Sequence, residues 1–196
     1  MPTMSNLEQA FCRSTPWRVV TQRVVLPWAL QGVRPRGDVL EVGGGGGAMA
    51  AALLAAFDDL RLTVTDVDPS MVSAARRRLA PHGDRVRVEE ADATGLPFAD
   101  GTFDGVLSFI MLHHVLAWER ALAEAVRVLR PEGILIAYDL LDSPPNRLVH
   151  RIDGPRNRLM RRDELEQVLH GLPLRERNLR VPRGGMLVRF HVVKEP

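Results

Sequence analysis

Short apolar runs alternate with helical patterns from residue 38 onward. Five runs have the length and composition of strands, at 39–42, 61–65, 85–89, 103–109 and 133–138. Helical patterns lie between them, at 47–57, 69–79 and about 117–129. This alternation predicts an α/β fold, a Rossmann-like doubly wound parallel sheet with right-handed crossovers and helices on both faces. Such a sheet binds ligands at the carboxyl ends of its strands.

The end of the chain has a different pattern. After a predicted helix at about 161–170, two extended segments at 174–181 and 186–193 flank the turn sequence Pro182-Arg183-Gly184-Gly185. These segments predict a closing C-terminal hairpin. Its last strand is expected to run antiparallel to its neighbours.

The first 37 residues predict helices. Residues 5–8 form a capping-box pattern for a short helix, and Thr15-Pro16 begins a second helix that extends to about Leu30. We therefore divide the chain into an N-terminal helical segment over 1–37, which is a candidate lid, and a domain over 38–196.

Composition limits the class of protein. The chain has 196 residues, of which 45% are hydrophobic and 26% charged, values of a single globular domain. The longest apolar run, at 48–57, is too short to cross a bilayer, and the first 15 residues lack the apolar segment of a secretory signal. Cys12 is the only cysteine, which excludes an internal disulfide and a multi-cysteine metal site. These features predict a cytoplasmic protein without a membrane span.

Positive charge is concentrated at both ends of the chain. Residues 1–37 and 142–196 are net basic, residues 38–141 are net acidic, and Lys194 is the only lysine. Guanidinium groups suit bidentate contacts with carboxylates or phosphates. An arginine-rich genome produces the same composition, so charge placement alone does not identify a ligand.

A glycine-rich loop follows the first predicted strand. Residues 41–48 read Glu-Val followed by five glycines and Ala48, between a strand and a helix. Glycines there allow a tight turn and a close approach of ligand to backbone. Gly43, Gly45 and Ala48 also satisfy the dinucleotide pattern G-x-G-x-x-G/A, so the loop by itself does not choose a cofactor.

Two acids follow the next strands. Asp66 ends the second strand, where a carboxylate accepts hydrogen bonds from both ribose hydroxyls of an adenosine ligand. Asp92 follows the third strand and is placed to accept a hydrogen bond from an exocyclic amine, as on adenine. A simple surface turn is the alternative role for Asp92.

With these motifs the sequence resembles the class I S-adenosylmethionine-dependent methyltransferases, in the small-molecule branch that includes ubiquinone and menaquinone biosynthesis enzymes. The resemblance rests on five ordered blocks, at 39–47, 65–71, 92–98 with 103–104, 112–115 and 128–133. Five blocks in order are far more specific than one glycine loop. The family usually has a small polar residue or cysteine after the first glycine, where this chain has Gly44.

The resemblance implies a seven-stranded sheet and S-adenosyl-L-methionine as the cofactor. Asp66 would then bind the ribose, Met71 one face of the adenine, and Asp92 its edge. Backbone carbonyls near Ser108 and Phe109 would bind the amino group of the cofactor. The full set of implied cofactor contacts is Glu41, Gly43, Gly45, Gly47, Asp66, Val67, Met71, Asp92, Ala93, Ser108 and Phe109.

Methyl transfer from a sulfonium needs an acceptor aligned opposite the sulfur, and a base only where the acceptor must lose a proton. His113 and His114 follow the fourth strand and are the candidate catalytic bases. Neighbours on a helix point about 100° apart, so at most one is expected to face the pocket, and orienting the loop is their alternative role. Tyr138 and Asp139 end the fifth strand and are the next candidates, Tyr138 as a catalytic residue and Asp139 as a substrate contact.

The acceptor is expected to be a small anionic or amphipathic molecule bound by Trp17, Arg147 and Arg151. A solvated basic face is the alternative role for these arginines. Nucleic acid is disfavoured because the chain shows no aromatic platform. No metal is expected, because no acid follows the fourth strand for a catechol-type magnesium site, and six scattered histidines with a single cysteine argue against zinc. Two other functions stay open, an NAD(P)-dependent oxidoreductase and a non-catalytic cofactor-binding scaffold. The sequence assigns no oligomeric state.

Overall fold

A computed structural model describes residues 20–30, 32–153 and 157–196, without the side chains of residues 21, 22 and 150–153. Seven strands in these ranges form one sheet: β1 (Gly37–Val42), β2 (Leu60–Asp66), β3 (Val86–Glu90), β4 (Phe103–Phe109), β5 (Leu129–Leu140), β6 (Leu174–Arg180) and β7 (Leu187–Lys194). The strand order is β3-β2-β1-β4-β5-β7-β6. Strands β1 to β5 pair in parallel, and β7 is antiparallel to both β5 and β6. The predicted α/β fold with an antiparallel C-terminal strand is confirmed.

Helices cover both faces of the sheet. They are α1 (Leu26–Leu30), which follows a π-helical turn at Thr21–Val25, α2 (Ala48–Ala56), α3 (Pro69–Leu79), α4 (Trp118–Val128), α5 (Pro144–Asp153) and α6 (Arg162–His170). Helix α3 begins where its sequence predicts, because the carboxylate of Asp68 accepts the N–H of Ser70 at 2.8 Å and Pro69 occupies the first turn. The helix starts predicted at residues 5–8 and 15–16 lie outside the described residues.

Apolar side chains fill two cores, one on each face of the sheet. On one face Leu40 and Val106 pack with Trp118 of α4. On the other face Leu107 packs with Leu53 of α2 and with α1 and α3. The strands therefore have nearly continuous apolar runs, because a parallel sheet in this fold is covered on both sides.

The parallel register aligns the ends of the central strands. Val42 of β1 pairs with Thr65 of β2 and with Ser108 of β4, and Ser108 pairs with Ala137 of β5. The carboxyl ends of four strands thus lie side by side, at the edge where open α/β sheets bind ligands.

Strand β5 begins earlier than the sequence predicts. The predicted start at residue 133 lies at the end of the turn-like sequence Pro131-Glu132-Gly133. In the structure Leu129 already pairs with Phe103. The register then shifts, and regular pairing resumes at Gly105 and Ile134. Glu132, between these two pairs, has a φ of +65°. The turn-like sequence thus marks a real break in the regular strand geometry, but β5 continues because residues on both sides of the break pair with β4.

Two further features concern only the described ranges. No helix there is long and apolar enough to cross a membrane. Nor do three or more His, Cys, Asp or Glu side chains in these ranges group in a way that would hold a metal ion.

Candidate functional site

A pocket opens at the carboxyl ends of β1, β2 and β4. It contains seven of the residues that the sequence analysis singled out: Gly43, Gly45, Asp66, Val67, Met71, Ala93 and His114. The wall is completed by Val42, Asp68, Ala91, Ile110, Met111 and Val115. The pocket is therefore mostly apolar, with two carboxylates and one imidazole as its ionisable groups.

The loop after β1 leaves part of its backbone open to the pocket. Gly43 and Gly45 have φ of +67° and +53°, in the left-handed region that favours glycine. A Cβ at Gly45 would meet no atom within 4 Å, so the peptide there borders open space. A Cβ at Gly43 would lie 2.0 Å from Cγ of Met111, which packs over it. Gly47 instead lets α2 pack beside α3, because a Cβ there would press against Ala75 at 3.3 Å.

Asp66 is held at the edge of the pocket by backbone donors. Its Oδ2 accepts the N–H of Gly45 at 2.8 Å, and its Oδ1 accepts the N–H of Asp68 at 2.9 Å. Burial raises the pKa of Asp66 above its usual value, and these backbone hydrogen bonds oppose the shift. The carboxylate is thus fixed against the glycine loop, and each oxygen retains acceptor capacity for a ligand in the pocket.

Glu41 lies beneath the loop and outside the pocket wall. The residue is 2% exposed, and its Oε2 has no hydrogen-bond partner among the described residues. Burial, and then the nearby charge of Asp66, raises the pKa of Glu41 to about 8. The carboxyl group is therefore largely protonated at pH 7. Glu41 thus lies under the glycine loop, and its predicted contact with the cofactor stays a prediction.

The two histidines after β4 lie in different surroundings. His114 lines the pocket, and its Nδ1 lies 3.0 Å from Oδ1 of Asn157. His113 is buried, and its Nδ1 lies 2.5 Å from Oδ1 of Asp139. Among the described residues of the pocket wall, His114 is thus the one histidine of the pair that can reach a bound molecule.

Asp139 anchors the turn that carries both histidines. It is fully buried, and its Oδ2 accepts the N–H of Met111 at 3.0 Å and of Leu112 at 2.6 Å. Its Oδ1 accepts the N–H of Leu140 at 2.6 Å in addition to the contact with His113. A carboxylate that four donors satisfy inside the protein positions the turn. This corrects the interpretation of Asp139 as a substrate contact.

Residues 40–137 match the family model of a methyltransferase domain. The chain belongs to this methyltransferase-domain family. The resemblance found in the sequence is confirmed, and the fold described above agrees with it.

This methyltransferase-domain protein is 38% identical over 135 residues to a demethylmenaquinone methyltransferase of Clavibacter sepedonicus, an alignment that covers 69% of this chain and 51% of the relative. It is 34% identical over 125 residues to a ubiquinone/menaquinone biosynthesis C-methyltransferase of Teredinibacter turnerae, covering 62% and 50%. The chain thus spans about half the length of these curated relatives. A SAM-dependent methyltransferase structure from Thermotoga maritima has the same fold, with a TM-score of 0.71 at 21% identity and coverage of 95% of this chain and 98% of that one.

Three predicted cofactor contacts of the methyltransferase domain lie beside the pocket. Asp92 is exposed and closes its own turn, because its Oδ1 accepts both the N–H and the hydroxyl of Thr94 at 2.7 Å. This is the surface-turn alternative, and the neighbouring Ala93 lines the pocket. Ser108 and Phe109 end β4 at the edge of the pocket, and their role through backbone carbonyls stays a prediction.

Tyr138 packs into the core below the pocket. Its ring stacks on Phe109 with centroids 5.2 Å apart and meets the ring of Trp28 edge-on at 5.3 Å. The residue is buried and is absent from the described wall of the pocket. Tyr138 therefore supports the sheet, which corrects its interpretation as a catalytic residue.

The predicted acceptor contacts have a different outcome. Arg147 is exposed and pairs with Asp142 at 3.0 Å, an arrangement typical of a solvated surface. Trp17 and the side chain of Arg151 lie outside the described residues. Their contacts with an acceptor stay predictions.

Six residues of the pocket wall lie outside the predicted set, and two of them, Ile110 and Met111, have a distinctive geometry. Ile110 has a φ of +49°, which β-branched residues rarely adopt, and Met111 folds over Gly43. Position was the available signal, since both residues directly follow β4, at the edge of the sheet that binds ligands. Their apolar character indicated core instead.

Proposed function

We propose that this chain is an S-adenosyl-L-methionine-dependent methyltransferase that acts on a small anionic or amphipathic acceptor. One observation carries the proposal: the open peptide of Gly45 and the carboxylate of Asp66 meet at 2.8 Å in one pocket at the strand ends. That pair suits a nucleoside with two ribose hydroxyls. Membership of the methyltransferase-domain family and the names of the relatives support it.

The pocket offers matching chemistry for each part of the cofactor. The fixed carboxylate of Asp66 would hold the ribose hydroxyls. Met71 and Ala93 present apolar surface for an adenine ring. The open backbone at Gly45 allows the methionine end to approach closely, above the buried carboxyl group of Glu41 whose Oε2 would accept one more hydrogen bond.

When bound, the cofactor supplies a methyl group on a sulfonium, which an acceptor nucleophile displaces in line. The chain holds the acceptor opposite the sulfur and excludes water, and alignment of this kind provides effective molarities of roughly 10⁵–10⁸ M. With Nδ1 of His114 donating to Asn157, the lone pair of the neutral ring lies on Nε2. His114 is therefore the residue that would take a proton from an acceptor hydroxyl.

Quinol-type aromatic compounds are the first acceptors to test, because the relatives carry quinone-biosynthesis names. The N-terminal segment over 1–37 is proposed as the lid. In its described part, Trp28 packs against Tyr138 of β5 at a ring distance of 5.3 Å, which brings this segment onto the sheet.

Titration calorimetry with S-adenosylhomocysteine and with NAD tests the cofactor. The wild-type chain is expected to bind the first and not the second. Asp66→Asn is expected to weaken binding about 10- to 100-fold, because hydrogen bonds to a charged group contribute about 1.5–3 kcal/mol. Asp58→Asn removes the same charge from an exposed position and should bind like wild type. Binding of NAD alone would overturn the proposal.

Methyl transfer from labelled S-adenosylmethionine to a panel of quinols and aromatic acids tests catalysis. His114→Gln is expected to lower turnover while leaving the affinity for S-adenosylhomocysteine within about twofold, since the predicted role of His114 is with the acceptor. A chain that binds the cofactor and methylates no member of the panel would favour the non-catalytic scaffold.

A further inference from the structure

Two arginines face each other at the end of the sheet. Arg189 of β7 lies directly opposite Arg180 of β6 in the antiparallel register, so the two side chains share one face of the sheet. No carboxylate in the described part of the chain forms an ion pair with either arginine. Like charges directly opposite each other are destabilising unless something compensates them.

Arg189 is also partly withdrawn from water. Its Nη1 donates to the backbone carbonyl of Trp28 at 2.6 Å, and its guanidinium lies 4.9 Å from the centroid of the Trp28 ring. Its Nε is buried and has no hydrogen-bond partner within the described residues. Burial, and then the charge of Arg180, lowers the pKa of Arg189. An anion beside the two guanidinium groups would compensate their paired positive charge.

The two arginines lie in line with the pocket. Phe109, Tyr138 and Arg189 pair with one another across β4, β5 and β7, and so form one row at the carboxyl edge of the parallel strands. Arg180 continues this row on β6. Neighbouring strands are about 4.8 Å apart, which puts Arg189 about 10 Å from the pocket end of β4. This distance fits a small aromatic ring system that carries one acidic group. Phe109 and Trp28, whose rings are half-buried, lie along the same path.

We propose that Arg189 and Arg180 form an anion subsite that binds the acidic group of the methyl acceptor, and that this acceptor is an aromatic acid. The inference rests on the proposed function and names its substrate class. It also relocates the anion contact expected from the sequence. Arg147 already has Asp142 as its partner, whereas Arg180 and Arg189 have no acidic partner among the described residues.

The test titrates the full chain, with and without saturating S-adenosylhomocysteine, with 1-hydroxy-2-naphthoate and with the uncharged 1-naphthol. Saturable binding of the naphthoate is expected to weaken about tenfold in Arg189→Met and severalfold in Arg180→Met. The affinity for 1-naphthol should change little. Arg175→Met is the matched control, because Arg175 lies at the other end of β6 and pairs with Glu132. It should bind the naphthoate like wild type.

Three results would overturn the subsite: no saturable naphthoate binding up to about 1 mM, equal losses in Arg175→Met and Arg189→Met, or equally tight binding of 1-naphthol. If Arg189→Met does not fold, Arg180→Met decides, since Arg180 is exposed. The cofactor titration separates the two proposals. If the chain binds S-adenosylhomocysteine but the naphthoate comparison fails, only the subsite proposal is contradicted. If the chain does not bind S-adenosylhomocysteine, the proposed function is contradicted, whatever the arginine variants show.

Discussion

At the residue scale, the buried carboxyl group of Glu41 links stability to pH. Its pKa in the folded chain is about 8, against an ordinary value of 4.5. The folded state therefore holds this proton more tightly than the unfolded state does. The resulting stabilisation is complete below about pH 4.5 and is lost as the pH rises through 8.

Glu41→Gln imitates the protonated side chain and removes this dependence. Near pH 4.5 the free energy of unfolding of the variant should equal that of wild type. As the pH rises from there to about 8, the variant should become more stable than wild type by about 1 kcal/mol per pH unit. Urea unfolding across that range measures the difference. Glu90→Gln, at an exposed position, should follow the wild-type curve. Curves for wild type and Glu41→Gln that stay parallel would show that Glu41 is ionised.

The two glycines of the pocket are expected to respond differently to substitution. Gly45→Ala places a methyl group in open space, so its only cost in stability is about 1–2 kcal/mol of backbone strain from the positive φ. The same methyl group should block the cofactor. Gly43→Ala adds a collision with Met111, 2.0 Å away, and should lose both stability and affinity. Urea unfolding with S-adenosylhomocysteine titration separates these effects. Gly185→Ala, with a φ of +65° and open space in the β6–β7 turn, is the control for strain and should bind normally.

At the element scale, a single carboxylate sets the position of the turn after β4. Asp139→Asn keeps the shape of the side chain but removes the charge that meets four donors. We expect it to lower the free energy of unfolding by about 3 kcal/mol and to weaken cofactor binding through the displaced Met111. Asp142→Asn breaks the surface pair with Arg147 and should change stability by less than about 1 kcal/mol. Similar small effects in both variants would contradict the anchoring role.

The bounds of an element could be predicted where residues close in sequence determine them. Asp68 and Pro69 mark the start of α3 by a side-chain cap, and the structure begins the helix there. The predicted strand at 133–138 is shorter than the observed β5. The first part of β5 depends on the pairing of Leu129 with Phe103, a contact that no local pattern specifies. Helix signals are local and strand pairing is not.

At the scale of the whole molecule, the strand order predicts a gradient of stability. Strands β1 and β4 are flanked by neighbours and covered on both faces, whereas β3 and β6 are edge strands with exposed positions. Hydrogen exchange measured by mass spectrometry is expected to be slowest in β1 and β4 and fastest in β3 and β6. Equal protection of all seven strands would contradict this topology.

Local patterns in the sequence were sufficient to predict the fold class and much of the pocket. Gly43, Gly45 and Asp66 lie where their motifs predict, because a strand end followed by a glycine turn and a helix has only a few backbone solutions. Each of these residues is placed by its immediate neighbours in the chain, so the alternation of strands and helices was enough to bring them to one edge.

Contacts between residues distant in sequence follow from the fold and could not be read from local patterns. Asp139 meets Met111, 28 residues away, and Arg180 stands opposite Arg189 because β7 inserts between β5 and β6. The same register turned Tyr138 into the core. Strand order and register set these contacts, and a shift of one residue in pairing moves every side chain to the other face of the sheet. Motifs determine which groups reach the strand ends, and pairing determines which of them face a ligand.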